Sequence, residues 1–156
     1  MVGIAALSLG LAATLGGTAG ADVGDGGDPT AVNLRVSLPS HAKLSPTITA
    51  NVRSFSEANG PQPSAFSGTA RFGVDRSGPG LVLRGTVAKV SVRGSTSSAG
   101  TGRLKITLTS AQRAAIRKAA ERAHRRSMVL NVVLRGHTPG RSDTSKTNAH
   151  LRISVR

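Results

Sequence analysis

Acidic side chains and histidines are the residues of this sequence that could support catalysis or hold a metal ion. The four acids beyond residue 30 show no spacing typical of an acid/base pair, and they are Glu57, Asp75, Glu121 and Asp143. The histidines form no H-x-H or H-x-x-x-H pattern, and they are His41, His124, His137 and His150. No nucleophile elbow, Walker loop or dinucleotide fingerprint occurs. We therefore expect no enzymatic activity, no bound metal and no cofactor.

Cysteine and aromatic residues are the next source of exclusions. The chain has no Cys, which excludes disulfides, thiolate metal sites and a thiol nucleophile. It has three Phe and neither Tyr nor Trp, which argues against sites that stack sugars or bases on aromatic rings. The hydrophobic core must therefore consist of Val, Leu and Ile.

The net charge of +14 is the most distinctive property of the composition. Arg supplies 16 of the 21 basic residues, and 13 Lys and Arg lie between Arg103 and Arg156, where only Glu121 and Asp143 are acidic. Such a protein attracts phosphates, acidic polysaccharides and anionic membranes. The alternative is that the charge reflects composition and keeps the domain soluble.

A basic helix from Ser110 to about Arg125 is the first candidate binding element. Thr109 and Gln112 form the T-x-x-Q capping-box pattern, and alanines with Ile116 follow one stripe at helical spacing. The basic residues on its other side are candidates for polyanion binding: Arg113, Arg117, Lys118, Arg122, Arg125 and Arg126. The alternative is a solvated helix surface without a ligand.

A long loop from His137 to Asn148 is the second candidate. Loops between strands of a sandwich often carry recognition residues. The residues that could take part are His137, Arg141, Asp143 and Lys146. The alternative is a tolerated insertion without function.

Strand patterns account for most of the chain beyond residue 31. Apolar residues alternate with polar ones in seven rows, within 32–38, 48–52, 66–74, 81–92, 104–108, 128–134 and 151–155. The phase of the fourth row changes near Arg84-Gly85, which predicts a turn or a glycine bulge. One polar face per strand favours antiparallel sheets. The sequence predicts an all-β antiparallel sandwich of seven or eight strands, with one crossover helix at about 110–125.

The N-terminal segment predicts export. Residues 4–15 have the length and apolarity of a signal-peptide core, and Ala19-Gly20-Ala21 fits a signal-peptidase site. We expect a signal peptide over 1–21, a flexible linker over 22–30 and one domain over 31–156. Met1-Val2-Gly3 lacks the usual positive charge, so a start further upstream and a retained membrane anchor remain alternatives.

The C-terminal third resembles a known family. The run GRLKITLTSAQRAAIRKAAERAHRRSMVLNVVLRG from Gly102 to Gly136, followed by HLRISVR, is similar to the end of immunoglobulin-like modules in exported proteins of high-GC Gram-positive bacteria. The chain lacks the Cys pair and core Trp of antibody-type domains, and its last loop is longer. The resemblance implies that the all-β antiparallel sandwich is immunoglobulin-like and has a non-catalytic role at the cell surface or outside the cell, and it transfers no binding residues.

These patterns together predict an exported, non-catalytic immunoglobulin-like module with a binding or structural role at the cell surface or in the medium. The alternative is a basic polyanion-binding protein that uses the Arg-rich helix. An acidic cell-wall polymer or another surface protein is the expected partner. Nucleic acid is disfavoured because no aromatic side chain is interleaved with the basic residues and because of export. The membrane is expected to matter only transiently, through the signal peptide.

Overall fold

A computed structural model describes residues 32–40, 42–75, 83–138 and 144–155. The predicted signal peptide and linker lie outside the described residues. The elements are β1 (Asn33–Ser37), β2 (Thr47–Ser56), β3 (Gly60–Pro61), β4 (Ala65–Asp75), β5 (Leu83–Ser95), β6 (Thr101–Thr107), α1 (Ser110–Arg122), β7 (Ser127–His137) and β8 (Thr144–Ser154).

The strands form two antiparallel sheets. In the first sheet β2 pairs with β1 on one edge and with β6 and the short β3 on the other. The second sheet has the order β5-β4-β7-β8. If β3 is left aside, strands one, two and five lie in one sheet and the remaining four in the other. The strands are distributed between the sheets as in an immunoglobulin-like sandwich, except that the fourth strand lies in the same sheet as the third.

The core lies between the two sheets and follows the alternation of the sequence. One side chain in two along each strand points inward, as the burial pattern of β1 (exposed, buried, exposed, buried, exposed) illustrates. The largest fully buried side chain is Phe72, which packs in one cluster with Leu34, Leu104, Leu130 and Ile153, so the expectation of a core made only of Val, Leu and Ile was wrong. The predicted fold class, an all-β sandwich with a single helix, is confirmed.

Hydrogen bonds link the first sheet to the second where β1 and the segment after it lie beside β8. After β1 the segment around Lys43 pairs in parallel with Ser154 of β8, where the Leu44 N–H donates to the Ser154 carbonyl at 2.7 Å. The Thr147 hydroxyl of β8 donates at 2.6 Å to the carbonyl of Leu34 in β1. The first contact joins the segment after β1 to β8, and the second joins β1 itself to β8.

The helix crosses from β6 in one sheet to β7 in the other, as expected. Thr109 caps it: the Gln112 N–H donates to the Thr109 hydroxyl at 3.1 Å, and the Thr109 N–H donates to the Gln112 side-chain oxygen at 2.9 Å. α1 ends at Arg122, three residues before the expected position. The reason is a Schellman arrangement in which His124 has a φ of 51° and the Arg125 N–H donates to the Ala120 carbonyl at 2.8 Å.

A bulge lies near Arg84-Gly85, where the sequence pattern predicted a turn or a glycine bulge. The register of β4 and β5 shifts between Phe72 and Val74, so that three residues of β5 face one residue of β4 there. Gly85 has a φ of 69°, in the left-handed region that favours glycine. Because the bulge adds two residues, it leaves the alternation of β5 unchanged: Arg84 pairs with Val74 and Leu83 with Asp75, so the bulge does not account for the phase change read from the sequence.

Candidate functional site

The Arg-rich helix surface expected from the sequence is divided into separate groups. Arg117, Arg125 and Arg126 line a shallow cleft of about 530 Å³ at the C-terminal end of α1. The other residues that line it are Ala120, Glu121, His124 and Val155. Lys118 and Arg122 are exposed but do not line the cleft. The cleft therefore combines three cations with an acidic side chain, and it gathers only half of the predicted set.

Arg113 lies closer to the sandwich than the helical pattern indicates. It is half-buried, because it lies on the same side of α1 as the fully buried Ile116 and Ala120. Its Nε atom is buried and has no hydrogen-bond partner among the described residues. Of the six predicted helix residues, Arg113 is therefore the least accessible to a ligand.

The predicted long loop of residues 137–148 is shorter in the structure. His137 ends β7 and pairs with Thr144, and Lys146 lies within β8 opposite Arg135. Only residues 138–143 connect the two strands. Arg141 and Asp143 lie outside the described residues. The expectation of a loop to Asn148 was wrong because the inward residue at this end of β8 is the polar Thr147, which hides the alternation.

The acids and histidines of the described residues do not converge. No group of three or more His, Asp or Glu that could hold a metal ion occurs among them. Glu57 is exposed in the turn after β2, and Glu121 is exposed on α1. No helix in the described part of the chain is long and apolar enough to cross a membrane.

The outer surface of the first sheet, which we call the three-strand face, carries basic residues that the sequence reasoning did not single out. Arg35 of β1 lies directly opposite Arg53 of β2, and Arg103 of β6 lies opposite Asn51. A depression of about 620 Å³ runs over this face and is lined by Arg35, Ser37, Asn51, Val52, Arg53, Thr101, Gly102 and Arg103. Lys105 adds a further exposed cation in the next row.

The outer surface of the second sheet, which we call the four-strand face, is an ordered array of three rows across β5, β4, β7 and β8. The first row is Arg93, Ser67, Arg135 and Lys146. The second row is Ser91, Thr69, Val133 and Asn148. The third row is Lys89, Arg71, Asn131 and His150. These twelve residues include five Lys or Arg and no acid.

Like charges lie directly opposite each other at two places in this array. Arg71 of β4 faces Lys89 of β5, and Arg135 of β7 faces Lys146 of β8. Side chains in such positions have Cβ atoms about 4.5–5.5 Å apart, and a like-charged pair there is destabilising. With Arg35 and Arg53, three directly opposed like-charged pairs lie on the outside of the sandwich.

A polar cluster holds the third row in place. Asn131 is buried although it points to the outside of the sheet. Its amide nitrogen donates at 2.6 Å to the side-chain oxygen of Asn148 and lies 3.0 Å from Nε2 of His150. Arg71 lies directly opposite Asn131 on the neighbouring strand. The cluster therefore fixes a set of hydrogen-bonding groups beside the cations of β4 and β5.

A signal for these faces was present in the sequence. The polar phase of the strands contains Arg35, Arg53, Arg71 and Arg93 at positions that must point away from the core. Which of them become neighbours depends on the pairing of strands, and that is visible only in the fold.

Comparison with known proteins adds no relative. No family model matches the chain, and a search of curated proteins finds no match.

Proposed function

We propose that this protein is an exported, non-catalytic immunoglobulin-like module that binds a polyanion. One observation carries the binding part of the proposal: three pairs of like-charged residues lie directly opposite each other on the outer faces of the two sheets. Each pair lowers the stability of the free protein, because like charges directly opposite each other repel. A bound anion would offset that repulsion, since it would supply the missing opposite charge.

The nature of the surfaces supports binding rather than catalysis. The outer faces are exposed and shallow, and the arginines and lysines on them are suited to carboxylate, sulfate or phosphate groups. Export is supported by the apolar segment of residues 4–15 and the small residues that follow it. The partner is then a polymer or surface protein that the domain meets outside the cytoplasm.

Retention on immobilised heparin tests the binding part. We expect the purified protein to bind heparin at 50 mM salt and to elute as salt rises, because each cation that contacts the polymer releases a counterion. Engagement of four or five cations predicts a slope of log K against log salt of about −3 to −4 by analogy with phosphate polymers. Absence of retention at 50 mM salt would contradict polyanion binding, and the protein with its Lys residues acetylated serves as a weakened control.

N-terminal sequencing of the protein recovered outside the cells tests export separately. We expect the mature chain to begin at Asp22, because Ala19 and Ala21 occupy the positions that a signal peptidase requires. An Ala21→Arg variant should block that cleavage. A protein that stays in the cytoplasm and begins at Met1 would contradict export without affecting the heparin result.

A further inference from the structure

We propose that the four-strand face binds an acidic polysaccharide, with carboxylates on the two basic rows and sugar hydroxyls on the row between them. This inference rests on the proposed polyanion-binding function and adds to it the surface and the class of polymer. The helix, which the sequence favoured, is not the main contact surface.

The argument for this face begins with its charge. Five cations lie in the first and third rows, and the described residues of the array include no acid to neutralise them. The cleft at the end of α1, by contrast, contains Glu121 beside its three arginines. An anionic polymer therefore meets uninterrupted positive potential on the sheet and mixed potential at the helix.

The second step concerns the row between the cations. Ser91 and Thr69 place hydroxyl groups there, and Asn148 adds an amide. The first and third rows are four residues apart along each strand, which corresponds to about 13 Å. A polymer that spans both rows must cover a neutral strip in which three of the four side chains can hydrogen-bond and the fourth is Val133. A chain whose acidic groups alternate with hydroxyls fits that strip, whereas a polymer with charge alone leaves it without partners.

The third step excludes other classes of polyanion. No Phe, Tyr or Trp belongs to the array, and the ring of His150 is engaged with Asn131, so nucleic-acid bases meet no large aromatic platform. The exposed large hydrophobic side chain among the described residues is Phe55, which lies on β2 of the other sheet. The four-strand face therefore offers nothing to insert into a bilayer.

The fourth step is rigidity. Each of the twelve positions lies on a strand paired on at least one side, and Asn131 is fixed by its contacts with Asn148 and His150. A surface of fixed side-chain positions loses less conformational entropy on binding than a loop does. The four-strand face is thus preorganised for an extended chain.

Two polymers with the same acidic group test the proposal: polygalacturonate carries carboxylates and hydroxyls, and polyglutamate carries carboxylates on an amide backbone without any hydroxyl. We expect the full chain to bind polygalacturonate at least about fivefold more tightly at equal carboxylate concentration, since a net hydrogen bond of about 1 kcal/mol corresponds to that ratio. Equal or tighter binding of polyglutamate would overturn the polysaccharide assignment. Binding of neither polymer, with heparin also not retained, would overturn the proposed function itself.

Charge reversal locates the surface. The double variant Arg71→Glu/Lys89→Glu should lose more than about 30-fold in affinity for polygalacturonate. The matched control Lys118→Glu/Arg122→Glu changes the net charge by the same amount on the exposed side of α1, and it should lose less than about threefold. If the two variants lose affinity equally, or the helix variant loses more, the four-strand face is not the binding surface, although polyanion binding itself stands.

A third variant tests the middle row without changing charge. Thr69→Val/Ser91→Ala removes two hydroxyls and keeps a β-branched residue at position 69. We expect it to lose about fivefold or more in affinity for polygalacturonate and to retain its affinity for polyglutamate. An equal change for both polymers would overturn the role of the middle row. Circular dichroism of each variant verifies that the sandwich is folded.

Discussion

Substitution of Gly68 by Ala is expected to lower the free energy of unfolding by about 1–3 kcal/mol, which is the usual range for overpacking. A Cβ at this position would overlap the carbonyl oxygen of Val133 and lie 2.9 Å from its carbonyl carbon. Both atoms belong to the backbone of β7, which cannot turn aside as a side chain can. The pairing of β4 with β7, at the centre of the second sheet, would therefore have to shift.

The sign of this effect makes it informative. Where the backbone tolerates alanine, Gly→Ala stabilises a protein by about 0.4–1 kcal/mol, because it restricts the unfolded chain. Urea unfolding of Gly68→Ala should show a lower midpoint with an unchanged slope. The neighbouring Ser67→Ala is the control, since Ser67 is exposed and its removal should change stability by no more than about 0.5 kcal/mol. A Gly68→Ala protein as stable as the parent would refute the close approach of the two strands.

Much of the fold follows from alternation alone. The rows 66–74 and 128–134 gave β4 and β7 because large apolar residues recur at nearly every second position there, even though the outward Val129 and Val133 of β7 are apolar too. The capping residues Thr109 and Gln112 located the start of α1 correctly, since a capping box depends only on local contacts. Local chemistry of this kind is fully contained in the sequence.

Strand segments with polar inward residues were missed. Ser54 and Ser56 are buried at the end of β2, and Thr147 is buried at the start of β8. Ser54 lies 2.6 Å from the Thr96 hydroxyl, and Thr147 donates to Leu34. The partners are 42 and 113 residues away along the chain. No local pattern can indicate that a serine or threonine will be satisfied by so distant a group.

The candidate site was missed for a related reason. That Arg71 and Lys89 point outward follows from alternation, but their direct opposition depends on the register of β4 and β5. The bulge at Gly85 shifts that register, so it could not be derived by counting from the turn. The helix was predicted as the binding element instead, because its basic residues lie close together in the sequence. A surface assembled from four strands distributes the same kind of charge over about 80 residues of chain.

Substitution of Ile116 by Ala is the second large effect we expect, with a loss of about 2–5 kcal/mol in the free energy of unfolding. Ile116 is 0% exposed, and with Ala120 it forms the part of α1 that is fully buried in the core. α1 contacts β4, β5 and β7, so this side chain lies where the helix packs against the second sheet. The substitution removes three carbons from one of the two fully buried side chains of α1. We expect it to leave a cavity between the helix and the second sheet.

Two control variants distinguish a cavity at Ile116 from a general loss of helix stability. Lys118→Ala lies on the exposed side of α1 and should change stability by no more than about 0.5 kcal/mol. Ile116→Val removes a single methylene and should cost about 0.5–1.5 kcal/mol, so it reports on the site even if the alanine variant does not fold. Thermal unfolding followed by circular dichroism measures all three. If the valine variant has the same unfolding midpoint temperature as the parent, and the alanine variant loses less than about 1 kcal/mol of unfolding free energy, then α1 is not anchored through Ile116.

The four-strand face lies on the opposite side of the second sheet from the core. The valine variant should therefore also retain the affinity of the parent for polygalacturonate.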